Sequence, residues 1–166
     1  MNSIERATWR TINRHIAREL AFIMEGETNQ AFRSKSWGGV AWAPVRYPVR
    51  RGSLMIRSGA LRRSLSFRAD GNVVTVSSSL PYATLHNEGG RVTVPVTPEM
   101  RRYWWAQYYK AKNKKEQARY RAMALSRKSH WQMQIPQRQF VGITDETERR
   151  LDARINELLD RLELGL

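Results

Sequence analysis

Residues 65–77 read LSFRADGNVVTVS. Leu65, Phe67 and Ala69 alternate with polar residues, Val74 and Val76 do the same further on, and between the two runs stands Asp70-Gly71, a strong hairpin turn dipeptide. A period of two places these apolar side chains on one side of the ladder, so the stretch predicts a β-hairpin with one apolar face. Earlier in the chain, residues 34–53, SKSWGGVAWAPVRYPVRRGS, carry glycines and prolines that break helices and central strands, yet hold Trp37, Trp42 and Tyr47. This is the pattern of an ordered loop pinned by its aromatics. Further out, from Ser3 to about Arg33, Trp9, Ile12, Ile16, Leu20 and Ile23 recur at spacings of three and four, which predicts a helix with one buried stripe and Ser3 as its N-cap.

On the other side of the hairpin, LPYATLHNEGG (80–90) leads into a short strand-like run, VTVPV (92–96). Pro98 then suits the first turn of a helix predicted to run from about Pro98 to Ser126. Trp131 to Ile135 can form one more strand before Pro136 stops it. Thr144-Asp145-Glu146 caps a final helix whose positive end is matched by acidic residues. In that helix Leu151, Ile155, Leu158 and Leu162 form a narrow stripe suited to packing on the first helix or on another subunit. There is no internal repeat and no low-complexity tract.

The chain has 166 residues, 41% of them hydrophobic, which is enough for one domain with a real core. We expect a single domain over 1–166 with a basic helical insertion over 91–130. The formal charge of +14 and a pI near 11.0 direct the protein toward nucleic acid, acidic proteins or anionic surfaces. Without cysteine there are no disulfides, and His15, His86 and His130 are too far apart for a recognisable metal motif, so no cofactor or metal is expected. No apolar run reaches the roughly 18 residues of a membrane span, and Glu5 interrupts the place where a signal peptide would build its apolar stretch. A cytoplasmic product without a targeting peptide or membrane partner is expected.

The charge is concentrated. Between Arg33 and Arg68 there are nine basic residues and no acid; between Arg101 and Lys128 there are ten basic residues against Glu116 alone. In the second stretch Arg101, Arg102, Lys110, Lys112, Lys114, Lys115, Arg119 and Arg121 are candidates for an interface or a DNA-facing surface. The interleaved Trp104, Trp105, Tyr108, Tyr109 and Tyr120 could stack on bases. The competing reading is a solvated basic helix whose aromatics pack on the domain or a neighbour, and their near-helical spacing favours it. By contrast the last 22 residues carry a net charge of −3. Such a sign change suits head-to-tail contact between copies in a ring.

His86 and Glu88 alone invite a catalytic reading, since a histidine beside a carboxylate can do general acid-base work. No nucleophile elbow, HExxH helix or Walker lysine accompanies them. The structural reading is that Gly89 and Gly90 end a short helix and His86 hydrogen-bonds locally, so no catalytic residue is assigned.

Four boxes remain: Trp42-Ala43-Pro44; residues 57–65, RSGALRRSL; residues 80–90, LPYATLHNEGG; and residues 135–142, IPQRQFVG. In this order they resemble the phage virion morphogenesis family of Mu-like phages. The resemblance covers about residues 1 to 165 apart from the stretch between Arg91 and Trp131. It implies an α+β fold in which a small antiparallel sheet packs against long N- and C-terminal helices, here with an inserted long basic helix where a shorter connection is the family's pattern. Carried over, the motif positions are Trp42, Pro44, Gly59, Leu61, Tyr82, His86, Gly89, Pro136, Arg138 and Phe140. The glycines suit tight turns, Tyr82 and Phe140 suit core packing, and Arg138 suits a bidentate carboxylate partner.

The resemblance further implies a non-enzymatic tail-completion or neck-type protein forming part of a ring, expected to be hexameric, at the head-tail junction. Its partners would be copies of itself and neighbouring neck, head-closure or tail-terminator and tail-tube proteins. It would reside in the virion, and in the host cytoplasm during assembly. The alternative is a basic nucleic-acid-binding module contacting DNA in the neck channel.

Overall fold

The computed structural model describes residues 3–45 and 51–163, with side chains for 9–45 and 51–161. The chain divides into two compact units, residues 1–89 with 136–166 and residues 90–135.

The first unit is organised by helix α1 (Ser3–Ser34). At 1.5 Å per residue its 32 residues span about 48 Å. Helix α6 (Asp145–Glu163) packs along it. Glu27 meets Thr147, and Glu19 meets Arg154, so the two run antiparallel. The expected stripe is partly relocated. Ile23 is buried, but Trp9 is 52% exposed, and the buried line follows Ala17, Ala21, Met24, Thr28 and Ala31. Glu19 already faces a residue nine positions from the end of α6, so Trp9, ten positions nearer the start of α1, lies at or past the end of that helix. Helix α1 already includes Ser3, whose capping side chain lies outside the described residues, as do the side chain of Leu162 and all of residues 46–50, including Tyr47, Arg46 and Arg50.

The loop after α1 contains a minimal ladder, β1 (Ser36–Trp37) and β2 (Val40–Ala41), turned through Gly38 and Gly39, both at positive φ. Next come the short helix α2 (Ala60–Ser64) and the hairpin β3 (Leu65–Asp70) and β4 (Val73–Ser78). Pairing of Leu65 with Ser78, Phe67 with Val76 and Ala69 with Val74 places the predicted apolar residues on one face. That face packs on α1. The turn falls one residue later than expected, on Gly71-Asn72, with positive φ at Gly71 only, as a type II′ turn requires. Helix α3 (Ala83–Glu88) completes this unit. Its core is Ala31, Phe32, Trp42, Leu61, Ala83 and Phe140, where the Phe32 ring lies 5.6 Å from Trp42 and 5.2 Å from Phe140.

The second unit pairs β5 (Gly90–Pro95) with β6 (His130–Ile135), enclosing helices α4 (Pro98–Lys110) and α5 (Lys114–Leu125). Thr97 caps α4 by accepting from the Met100 amide, with Pro98 in its first turn. The single long basic helix expected from Pro98 to Ser126 is therefore corrected to two helices. Asn113 stops continuity: its Oδ1 accepts from the Glu116 amide at 2.8 Å, the N-cap geometry of a new helix. Arg101 fastens the far end of α5, donating to the carbonyls of Ala124 (3.0 Å), Ser126 and Lys128 (3.3 Å). Trp104, buried, packs its ring against Trp131 at 5.8 Å and a tilt of 43°.

The fold is thus α+β, with the antiparallel pairing of the described residues divided among three two-stranded ladders rather than gathered into one sheet. Among the described residues no helix is long and apolar enough to cross a membrane.

Candidate functional site

The four boxes, joined by contacts that span up to 97 residues of sequence, meet in one knot in the first unit. The Trp42 amide still donates to the Lys35 carbonyl at 2.7 Å, but Ala43 and Pro44 lie beyond the β1–β2 ladder, so their carbonyls must find donors elsewhere. Arg138 supplies them: Nε donates to the Ala43 carbonyl at 2.8 Å and Nη2 to that of Pro44 at 3.2 Å. Trp42 returns the contact, its Nε1 donating to the Gln139 carbonyl at 2.7 Å. The Arg138 amide donates to the His86 carbonyl at 2.9 Å, and Asn87 Oδ1 accepts from the amides of Phe140 (2.9 Å) and Val141 (3.0 Å). From α1, Thr28 Oγ1 donates to the Phe140 carbonyl at 2.8 Å. The Phe140 ring, 1% exposed, fills the core beneath.

The second box contributes a turn and a plug. Gly59 sits at φ 74°, a left-handed conformation that favours glycine, and precedes α2, whose Leu61 is buried in the same cluster. In the third box Gly89, at φ 73°, closes α3 by donating to the Leu85 carbonyl at 2.9 Å. Pro136 ends β6 and opens the Arg138 segment.

Three expectations are corrected here. Arg138 binds backbone carbonyls, not a carboxylate, because the Ala43–Pro44 segment, beyond the β1–β2 ladder, presents the acceptors; at 8% exposure, burial lowers its pKa. Tyr82 is not a core residue. It is 41% exposed, directly precedes α3, and meets the edge of the His86 ring at 5.8 Å. The His86 side chain does not hydrogen-bond locally through Nδ1, which is buried without a partner among the described residues. Burial, and then the positive charge of Arg138, lower the His86 pKa and favour a neutral ring.

Beside the knot lies an open cavity of about 400 Å³ bordered by Met55, Arg57, Leu61, Tyr82, His86 and Arg138. The ring of His86 therefore faces cations rather than the carboxylate that would orient a general base. Among the described residues no group of three or more His, Asp or Glu side chains could hold a metal ion.

The candidate basic residues all fall in the second unit and divide by role. Arg101 is spent on carbonyls at and just beyond the end of α5. Arg102, Lys110, Lys112, Lys114, Lys115, Arg119 and Arg121 are exposed, with Arg119 lying 4.8 Å from the Tyr120 ring.

Sequence reasoning missed Thr28, Asn87, Gln139 and the Thr147–Glu27 contact. Thr144 and Thr147 cap α6 reciprocally, each hydroxyl accepting from the other's amide, at 3.1 and 2.9 Å. The Thr147 hydroxyl also reaches Glu27 at 2.5 Å. The spacing of Thr144 and Thr147 is that of a capping box, a legible signal; the partners of Thr28 and Asn87 lie 112 and 53 residues away and leave none.

No curated protein and no solved structure matches the chain. The model of the phage virion morphogenesis family matches residues 2–160, the four boxes and the basic unit included, and the chain belongs to that structural and assembly family of phage virions.

Proposed function

We propose that the protein is a tail-completion or neck-type component of a Mu-like tailed phage, part of a ring of identical copies at the head-tail junction. The observation that carries this reading is the uncovered apolar surface of the first unit: Phe22 on α1 is 70% exposed, Trp9 and Val40 are also largely uncovered, and such side chains favour burial against a partner. The acidic α6 and the basic stretch between Arg33 and Arg68 add opposite charges that a neighbouring copy can match. The hydrogen-bonded knot of the four boxes serves as the rigid frame from which these surfaces project. Assembly in the host cytoplasm and contacts with neighbouring neck, head-closure, tail-terminator or tail-tube proteins belong to the same reading.

Mass photometry over a concentration series, alone and with neck or tail partners, tests it. Closed oligomers of one stoichiometry are expected, and Phe22→Ser should shift them toward monomer while leaving the melting curve unchanged. A strict monomer under every condition contradicts the ring.

A further inference from the structure

The second unit holds 11 lysines and arginines against two glutamates, a net of +9 within residues 90–135. Lys110, Lys112, Lys114 and Lys115 crowd the connection between α4 and α5, are all exposed, and have no carboxylate partner among the described residues. Lys114 and Lys115 open α5, where the helix dipole is already positive. Local stability would favour acids at those positions, so the cations answer to something outside the unit.

The aromatics tell the same story from the other side. The core of this unit uses Trp104 against Trp131, with Gln107 buried one turn on. Arg102, Trp105 and Tyr109, spaced by three and four, lie on the opposite face of α4. Tyr109 is 78% exposed. Its ring stacks on Trp105 at 6.3 Å and 29°, and Tyr108 closes the group at 5.6 Å from Trp105 and 5.2 Å from Tyr109. These rings are surplus to the core, lie near-parallel in part, and run directly into Lys110. An acidic protein surface would be met by the lysines alone. A flat ring left facing solvent beside unpaired cations fits a partner that carries phosphates and flat bases together.

We infer that the second unit is a nucleic-acid-binding surface, in which the lysines of the α4–α5 connection contact phosphates and the Trp105–Tyr109 stack receives an unpaired base, so that single strands are preferred to duplex. The surface is independent of ring formation; either can fail without the other.

Fluorescence anisotropy with the full chain, a labelled DNA strand of about 20 nucleotides and the corresponding duplex provides the test. Binding to the single strand should weaken with salt at a log–log slope of about 0.7 per phosphate neutralised. Replacing the four lysines with glutamate should abolish it. Tyr109→Ala, at a position too exposed to affect folding, should weaken single-strand binding about tenfold and leave the salt slope unchanged. Absence of binding at low salt overturns the inference. So does equal affinity for both DNA forms with no effect of Tyr109→Ala. Competition by polyglutamate as effective as that by unlabelled DNA also overturns it and makes the surface a dock for an acidic protein.

Discussion

Helix α6 of the first unit and the α4–α5 pair of the second are both rich in basic residues, but they handle them in opposite ways. Every arginine of α6 has a carboxylate: Arg149 pairs with Glu146, Arg150 with Glu27, Arg154 with Glu19 and Glu157, and Arg161 with Glu157. These pairs are largely exposed and contribute little stability individually, yet they match each arginine of α6, and those to Glu19 and Glu27 join α6 to α1. In the second unit the four lysines at the α4–α5 connection have no carboxylate partner among the described residues. Cations matched within the chain are part of the fold, whereas unmatched cations are available to a partner.

The comparison breaks most visibly in the knot of the first unit, where a cation and an aromatic are both buried. Phe140→Ala should cost about 3–5 kcal/mol, as large buried aromatic deletions do, measured as a shift in the urea midpoint. Arg138→Met should cost roughly 2–4 kcal/mol by stripping donors from two carbonyls, and Arg138→Lys should recover little, since an ammonium lacks the planar fork that reaches both. Full recovery by lysine would mean that charge, not geometry, is what Arg138 supplies.

His86 gives a smaller effect with a definite sign. Its folded pKa lies below its unfolded value, so between the two the unfolded chain binds more protons. Its contribution to stability is complete above the unfolded value of about 6.5 and declines as pH falls toward the lowered folded value. Melting temperatures of wild type and His86→Gln, compared from about pH 7.5 to 5, should show a steeper decline in the wild type. Parallel profiles would show that His86 titrates alike in both states. Tyr82→Ala should cost only about 1 kcal/mol because its ring is half in solvent.

The smallest expected change in stability comes from Lys110, Lys112, Lys114 and Lys115 replaced together by glutamate. Two of the new acids would stand at the positive end of α5, so the melting temperature should hold or rise slightly, while binding and particle assembly suffer. Unfolding of this variant would place the connection in the core and erase the contrast between the units.

What was legible in the sequence follows from the range of the interactions. Period-two alternation in residues 65–77 placed the apolar face of the hairpin correctly because pairing there spans a two-residue turn. Pro98 marked the start of α4 through local backbone chemistry. The break at Asn113 was also local, an Asn followed three residues later by Glu116, but it was hidden in a run of good helix formers. The knot was legible only as four separate boxes. Which groups bind, Arg138 to carbonyls and Asn87 to two amides, depends on segments brought together from up to 95 residues away, and residue type alone suggested a carboxylate for the arginine. The resemblance named the positions, and the backbone's unmet hydrogen bonds supplied the reason for them.

The proposed role makes this chain a structural part of the particle at the junction of head and tail. Gold labelling of a tagged chain in assembled phage particles, viewed by electron microscopy, addresses it directly. The account predicts label confined to that junction, with heads and tails failing to join when the gene is absent. Label along the tail shaft, label over the capsid, or none on finished particles would contradict it.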